Sequence, residues 1–322
     1  MAKKKIAVLT SGGDAPGMNA AVRAVVRSGI YFGFDVYGVN RGYSGLIEDD
    51  IYKMNLRSVS NIIGLGGTML RTSRSAEFAT PAGIEKAAAV CRSRNFDGLI
   101  VIGGDGSFRG ALDLSKAGIP CIGIPGTIDN DIACTEYTIG FDTAINTAVQ
   151  MTDKIRDTTV SHDRCCVIEV MGRHCGDIAI QTALAVGAFA VLVPEIEIDF
   201  EKDIIEKMRE ADKKGKKHFI IVVAEGVGNT QEIAYRIRQE TGFDTTVTIL
   251  GYVQRGGAPS QRDRTVAGLM GYRAVELLKN GEDCRVVVMK NGAITDLEIG
   301  EALSMKRVFD RDKYKIARRL SI

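Results

Sequence analysis

Short unbroken apolar runs alternate along the chain with stretches whose apolar residues recur at helical spacing. Ile6–Thr10, Asp35–Asn40, Leu99–Ile102, Cys121–Ile124, Val167–Val170, Val191–Val193, Phe219–Ala224, Val247–Leu250 and Arg285–Met289 read as strands. Helical spacing marks Asn19–Phe32, a segment ending near Lys116, and Asp142–Thr158. It recurs at Asp177–Val186, Glu201–Lys214, Gln231–Thr241 and Arg262–Leu278. A strand that is apolar at every position is covered on both faces, the situation of a parallel sheet with helical crossovers. The pattern predicts an α/β chain of two doubly wound, Rossmann-like lobes with mostly parallel sheets. With 322 residues the chain is long for one core, which also favours two lobes. No Ser/Gly-rich spacer separates them, so the lobes are expected to pack tightly, with more than one crossing of the chain.

Composition narrows the class. There are 42 basic and 40 acidic residues, a balance that offers no field for nucleic acid or a membrane surface. No apolar stretch approaches the roughly 18 residues of a membrane span. Met1–Lys5 is basic, but the apolar run after it is too short for a signal segment. Seven cysteines form an odd set without a CxxC pair, as expected of free thiols in a reducing cytosol. The 36 glycines are about 11% of the chain against an ordinary roughly 7%, and they cluster after the apolar runs.

Those clusters lie where an open α/β sheet binds ligands, beyond the carboxyl ends of its strands. They are Ser11–Gly17 (SGGDAPG), Gly103–Ser107 (GGDGS), Pro125–Asp131 (PGTIDND) and Met171–Asp177 (MGRHCGD). Glycine lets backbone N–H groups approach phosphate oxygens, and a helix N-terminus behind the loop adds donors and positive dipole. A carboxylate there repels a bare phosphate, so it implies a divalent cation or a proton to be removed. Mg2+ takes one or two carboxylates beside substrate phosphates. Asp105, Asp129 and Asp131 fit a division into metal holder and general base. One glycine-rich turn is ordinarily only a turn; GGDGS, PGTIDND and MGR in that order are far more specific. Neither GxxxxGK[ST] nor an initial GxGxxG is present, against a P-loop enzyme or a dinucleotide oxidoreductase. Three histidines, His162, His174 and His218, leave little from which to build a zinc site or a serine triad.

On these residues the chain resembles the ATP-dependent 6-phosphofructokinases of the short bacterial type. The resembling segments are Leu9–Arg23, Gly103–Ser107, Pro125–Asp131, Glu169–Asp177, Ala224–Gly226 and Gln254–Pro259, and the likeness runs on to Leu320–Ser321–Ile322. The resemblance implies a cytoplasmic, homotetrameric glycolytic kinase. It would move the γ-phosphate of MgATP to the 1-hydroxyl of fructose 6-phosphate, in a cleft between lobes. It divides the chain into an ATP lobe, 1–138 plus 256–304, and a sugar-phosphate lobe, 139–255 plus 305–322. ATP contacts fall on Gly13, Tyr43, Arg74, Ser75, Gly104, Gly106 and Ser107, and Mg2+ on Asp105 with Asp131. Asp129 matches the general base, and Thr127 and Arg173 match groups that stabilise the moving phosphoryl. Ile128, Met171, Gly172 and Glu225 complete the substrate positions. Family members that use pyrophosphate tend to carry aspartate where Gly106 stands and lysine where Gly126 stands. An aspartate at 106 would collide with a nucleotide α-phosphate, so ATP is the implied donor.

The chain departs from the family at the far end of the sugar. Arg164, which acts from a neighbouring subunit in the family, and Arg255 match two of its 6-phosphate ligands. Thr246 stands for a second arginine, and Tyr252 for a histidine. One lost charged hydrogen bond costs about 1.5–3 kcal/mol, or tenfold to about a hundredfold in affinity. Arg262 and Arg264 either compensate or are surface residues. The family's effector site for ADP or phosphoenolpyruvate is matched at Arg23, Arg27, Arg156, Lys214 and Lys216. Its metal-binding glutamate is Phe189 here, and one arginine is Leu56, so MgADP activation is expected to be weak or absent. Two alternatives stay open: a paralogue for another phosphosugar, such as sedoheptulose 7-phosphate or tagatose 6-phosphate, and a regulatory subunit of low activity. Intact Asp105, Asp129, Asp131 and Arg173 oppose the second.

Overall fold

The computed structural model describes residues 3–321; the ends of the basic N-terminal stretch and of the family likeness, at Met1, Ala2 and Ile322, lie outside the described residues. In chain order come β1 (Lys5–Thr10), α1 (Met18–Tyr31), β2 (Asp35–Val39), α2 (Gly42–Ile47), β3 (Ile51–Met54), α3 (Pro81–Ser93), β4 (Gly98–Gly103) and α4 (Asp105–Lys116). There follow β5 (Cys121–Pro125), α5 (Phe141–Ser161), β6 (Cys165–Val170), α6 (Asp177–Val186), β7 (Ala190–Leu192), α7 (Glu206–Lys213), β8 (Phe219–Ala224) and α8 (Thr230–Thr241). The last are β9 (Thr245–Ile249), α9 (Gln261–Lys279), β10 (Arg285–Lys290), β11 (Ala293–Glu298), α10 (Ile299–Ser304) and α11 (Arg311–Leu320). The single helix expected over Glu201–Lys214 begins instead as a π-helical turn, Glu201–Ile205, which runs into α7.

The described residues form two compact units. Unit 1 is the described chain up to Ile128, with Ile132–Thr143 and Arg255–Arg307; unit 2 is Asp129–Asp131, Ala144–Gln254 and the described chain from Val308. The chain therefore passes between the units at 128/129, 131/132, 143/144, 254/255 and 307/308.

Unit 1 holds a sheet in the order β11-β10-β5-β4-β1-β2-β3. Its interior pairings are parallel; β3 and β11 join antiparallel at the two edges. Ile6–Leu9 and Leu99–Ile102 are wholly inaccessible, which explains their unbroken apolar runs. Each Val, Leu or Ile among them contributes about 1.5–3 kcal/mol of burial. The chain winds outward in opposite directions from β1 and β4, so their junction is the topological switch point, where doubly wound sheets bind ligands.

Unit 2 holds a parallel sheet in the order β7-β8-β6-β9. All six residues of β8 are buried, and Phe219, Ile221 and Val223 pack with Ile204, Met208 and Ile237. The edge strand β9 is only partly covered. The cysteines are free thiols, six buried and Cys284 half-buried. Burial pushes the Cys91 thiol up to about 12 and Cys134 up to about 11, so neither is a nucleophile near neutral pH. No helix among the described residues is long and apolar enough to cross a membrane.

Candidate active site

Three glycine loops meet at the carboxyl edge of the unit 1 sheet because their strands are neighbours. Thr10 is paired with Ile102, and Ser11 N donates to Ile102 O at 2.9 Å. Ser107 Oγ donates to Ser11 O at 3.2 Å, and Gly126 N donates to Gly103 O at 3.0 Å. The residues after β1, β4 and β5 therefore lie side by side at the switch point. Behind them starts α4, whose N-terminus no side chain caps. A helix start of this kind carries partial positive charge suited to phosphate. Asp105 and Gly106 are exposed there, and a Cβ added at Gly104 or Gly106 would meet nothing within 4 Å.

Tyr43 holds this helix start from beneath. Its buried ring stacks on Phe78 with centroids 3.9 Å apart, and its hydroxyl donates to Ser107 O at 2.6 Å. Burial raises the phenol well above its ordinary value, so the group stays a donor. Arg74 is exposed, whereas Ser75 Oγ accepts from Phe78 N at 3.1 Å. Arg255 lies directly on the first loop: a Cβ at Gly13 would sit 2.2 Å from its Nη1, so any other residue there would displace the guanidinium. Arg255 Nη1 reaches Asp14 O at 3.4 Å and Asp14 Oδ1 at 3.9 Å. Gly13 and Arg255, expected to serve different substrates, thus share one place, and Asp14 joins them.

The PGTIDND loop is pinned by the chain at residue 139. Ile139 N donates to Pro125 O at 3.0 Å, Thr127 N donates to Ile139 O at 3.1 Å, and Thr138 Oγ1 donates to Thr127 O at 2.7 Å. Ile128 is buried beyond it.

In unit 2, Asp129 is 1% exposed, and Arg173 Nε stands 3.4 Å from its Oδ2. The same guanidinium is 4.0 Å from Asp131. Two backbone devices aim these groups. Arg173 sits at φ 54°, a left-handed conformation that costs a non-glycine residue on the order of 1 kcal/mol or more. It is held there by Glu225 Oε1, which accepts from Gly172 N at 3.1 Å and from Arg173 N at 2.6 Å. Asn130, also left-handed, donates from Nδ2 to Asp177 at 3.0 Å. Met171 N donates to Oε1 of the fully buried Gln254 at 3.3 Å. Asp14, Asn130, Asp177 and Gln254 fall inside the marked segments, but the sequence assigns none of them a role of its own, since a buried amide or a loop carboxylate looks like any other.

The sugar-phosphate candidates are more dispersed. Arg164 pairs with Asp244 at 2.7 Å, Thr246 is exposed on β9, and Tyr252 is 82% exposed. Arg262 is not a solitary surface arginine: its guanidinium lies 4.6 Å above the Tyr137 ring. Arg264 donates to Pro259 O at 2.7 Å. Of the effector candidates, Arg23 and Arg27 stand one turn apart on α1, where burial and then Arg27 pull Arg23 below its ordinary value. In unit 2, Arg156 donates to Val186 O, Lys214 is exposed, and Lys216 lies 5.5 Å above the ring of buried Phe189. Leu56 is exposed on unit 1. No cluster of three or more His, Cys, Asp or Glu side chains among the described residues forms a metal cage.

The Phosphofructokinase family profile matches residues 5–278. The chain is 55% identical over 319 residues to the ATP-dependent 6-phosphofructokinase of Clostridioides difficile, covering 99% of this chain and all of that one. It is 54% identical to the protein of the same name from Bacillus cytotoxicus, again over 99% of this chain and all of the relative. Among solved structures, phosphofructokinase from Saccharomyces cerevisiae superposes with a TM-score of 0.88 at 35% identity. That match covers 99% of this chain, which spans about half, 47%, of the yeast chain. A pyrophosphate-dependent phosphofructokinase from Marinobacter aquaeolei shares the fold, with a TM-score of 0.85 at 21% identity, over 98% of this chain and 91% of that one.

Proposed function

The chain belongs to the phosphofructokinase family, and from that premise we propose that it transfers the γ-phosphoryl group of ATP to the 1-hydroxyl of D-fructose 6-phosphate. The products are fructose 1,6-bisphosphate and ADP, and the enzyme is a glycolytic kinase. The observation that carries the reading is the buried Asp129 carboxylate with Arg173 at 3.4 Å, in a loop continuous with the one that Gly103 pins.

Phosphoryl transfer asks for positioning and charge neutralisation rather than covalent help. Asp129 takes the proton of the 1-hydroxyl as that oxygen bonds to phosphorus and the bond to the ADP oxygen breaks. Arg173 and the Thr127 hydroxyl meet the charge on the moving phosphoryl. The backbone at Gly13, Gly104, Gly106 and Ser107, with Tyr43, Arg74 and Ser75 around it, receives ATP. The open space beside Gly106 supports a nucleotide rather than pyrophosphate as donor. Ile128, Met171, Gly172, Glu225, Arg164 and Arg255 receive the sugar phosphate, beside Thr246 and Tyr252.

Asp105 and Asp131 would hold Mg2+. The exposed Asp105 beside open space suits an ion that keeps waters and takes phosphate oxygens, and two carboxylates without a cage are its usual complement. Held there, the ion would supply positive charge to offset that of the nucleotide phosphates. The working form is a cytoplasmic homotetramer in which Arg164 serves a neighbouring subunit's sugar. The family's anion-binding effector site persists in Arg23, Arg27, Arg156, Lys214 and Lys216.

Steady-state turnover with MgATP or pyrophosphate against a panel of sugar phosphates tests this. Half-saturation by fructose 6-phosphate below about a millimolar, as the best acceptor with ATP as donor, is the expected result. A clear preference for another phosphosugar would favour the second reading, to which exposed, uncharged Thr246 and Tyr252 lend weight.

A further inference from the structure

A carboxylate that the proposed chemistry does not use lies wholly buried behind the phosphoryl-transfer loop. Asp263, in the first turn of α9, has no accessible surface. Its two oxygens gather four donors from residues 137–143. Tyr137 Oη and Gly140 N donate to Oδ1 at 2.6 and 2.7 Å. Thr143 N donates to Oδ2 at 2.9 Å, and so does the Thr143 hydroxyl. Thr143 Oγ1 in turn accepts from Ser260 N at 2.9 Å, and Ser260 caps α9 by accepting from Asp263 N at 3.2 Å. Arg262 lies over the Tyr137 ring and fixes it from the other side.

The gripped segment is the one that pins the PGTIDND loop. Ile139 exchanges hydrogen bonds with Pro125 and Thr127, and Thr138 bonds Thr127 O. It also touches the first phosphate loop. Gly140 runs at φ 108°, and a Cβ there would clash at 2.7 Å with that of Ala15, as a Cβ at Gly17 would at 2.6 Å with Ile139 Cγ2. A shift of residues 137–143 therefore reaches both loops.

We propose that Asp263 is a positioning residue for phosphoryl transfer: its carboxylate fixes residues 137–143, which fix the Pro125–Thr127 backbone from which Asp129 follows. The inference rests on the kinase reading above. Stability alone does not call for this arrangement, because a buried ionisable group is often replaceable by a well-packed apolar one at no loss. Four directional bonds to one rigid carboxylate set the position of a backbone more closely than apolar contacts do. Displacement by about 1 Å of a group that presents reactants costs on the order of a hundredfold in rate.

The test compares Asp263→Asn, Tyr137→Phe and Met270→Ala with the unaltered enzyme. Asn keeps the volume of Asp but turns an amide donor toward two of the four donors. Met270, buried on the same helix, has a side chain that donates no hydrogen bond to the network and serves as a control for lost stability. At a temperature where all are folded, Asp263→Asn should lower kcat by about tenfold to a hundredfold with KM for ATP changed less than about twofold. Tyr137→Phe should lower kcat severalfold, and it carries the test if the Asn variant does not fold. Met270→Ala should lower the melting temperature with kcat retained. Amide exchange should quicken in residues 125–131 and 137–143 of Asp263→Asn, with β8 unchanged. An Asp263→Asn enzyme that melts early but keeps its kcat would overturn the proposal, as would exchange quickened evenly along the chain. If the unaltered enzyme turns over no acceptor, the kinase reading fails instead, and exchange alone decides whether Asp263 fixes the loop.

Discussion

Arg173 and Asp129 form an ion pair whose two halves live in different surroundings: the guanidinium half exposed, the carboxylate side chain 2% exposed. The cation can follow a substrate while the base stays fixed. Asp129→Asn keeps the shape and removes the proton acceptor, so kcat should fall by about 10²–10⁴-fold while KM for ATP changes little. Steady-state kinetics at saturating MgATP reads this out; retention of more than a tenth of the rate would exclude Asp129 as the base.

Gly13 has a neighbour that no reading of the loop alone supplies. Its missing Cβ leaves the space that Arg255 Nη1 fills. Gly13→Ala should therefore push Arg255 off its seat and raise KM for the sugar phosphate by about tenfold, the equivalent of about 1.4 kcal/mol. Initial rates against fructose 6-phosphate check it, and a change confined to KM for ATP would show that Arg255 does not serve the sugar.

Phe189 packs edge-on against Phe219 with Lys216 over its ring. An aromatic ring offers no oxygen to a metal ion. Saturating MgADP should shift half-saturation for fructose 6-phosphate by less than about twofold. A severalfold shift would mean that another group holds the effector's metal.

Asp296 makes stability depend on pH. Burial pushes its carboxyl up, but hydrogen bonds from Arg273, at 2.7 Å, and from Arg285 outweigh that and leave it below the ordinary carboxylate range. A carboxyl lowered in the folded state stabilises fully above its unfolded value, and the contribution is lost as pH falls through the folded one. Asp296→Asn should lower the melting temperature by several degrees near neutral pH. The gap to the unaltered protein should narrow as melts are taken to pH values below the ordinary carboxylate range.

The legible parts of the fold were those where both faces of an element are covered. β4, β5 and β8 announce themselves because they carry no polar side chain and every position is buried, and β1 because Ile6–Leu9 is an unbroken buried apolar run. β3 and β11 escaped notice because they are antiparallel edges with mixed exposure, and IYKM or AITDLE alternates no more clearly than a loop. Thr80 and Pro81 mark the start of α3, but its Ala-rich turns carry only a weak apolar stripe and give little helical signal. The glycine loops were legible because phosphate binding demands small residues beside strand ends. The Asp129–Arg173 pair carries no local signal, since it joins loops after two different strands. Asp263 was invisible for another reason: an aspartate three residues after a serine looks like ordinary acidic decoration of a helix start.

Unit 1 completes its sheet only after the strands of unit 2 have been made. β10 and β11, residues 285–298, complete the sheet beside β5, and α9 lies against α1. While the ribosome is still making unit 2, β5 is an open edge of apolar strand with no partner on one side, the kind of edge that recruits other nascent chains. A truncation near residue 280 would thus remove the β10 partner of β5 and leave the sheet begun by the amino-terminal strands open along β5.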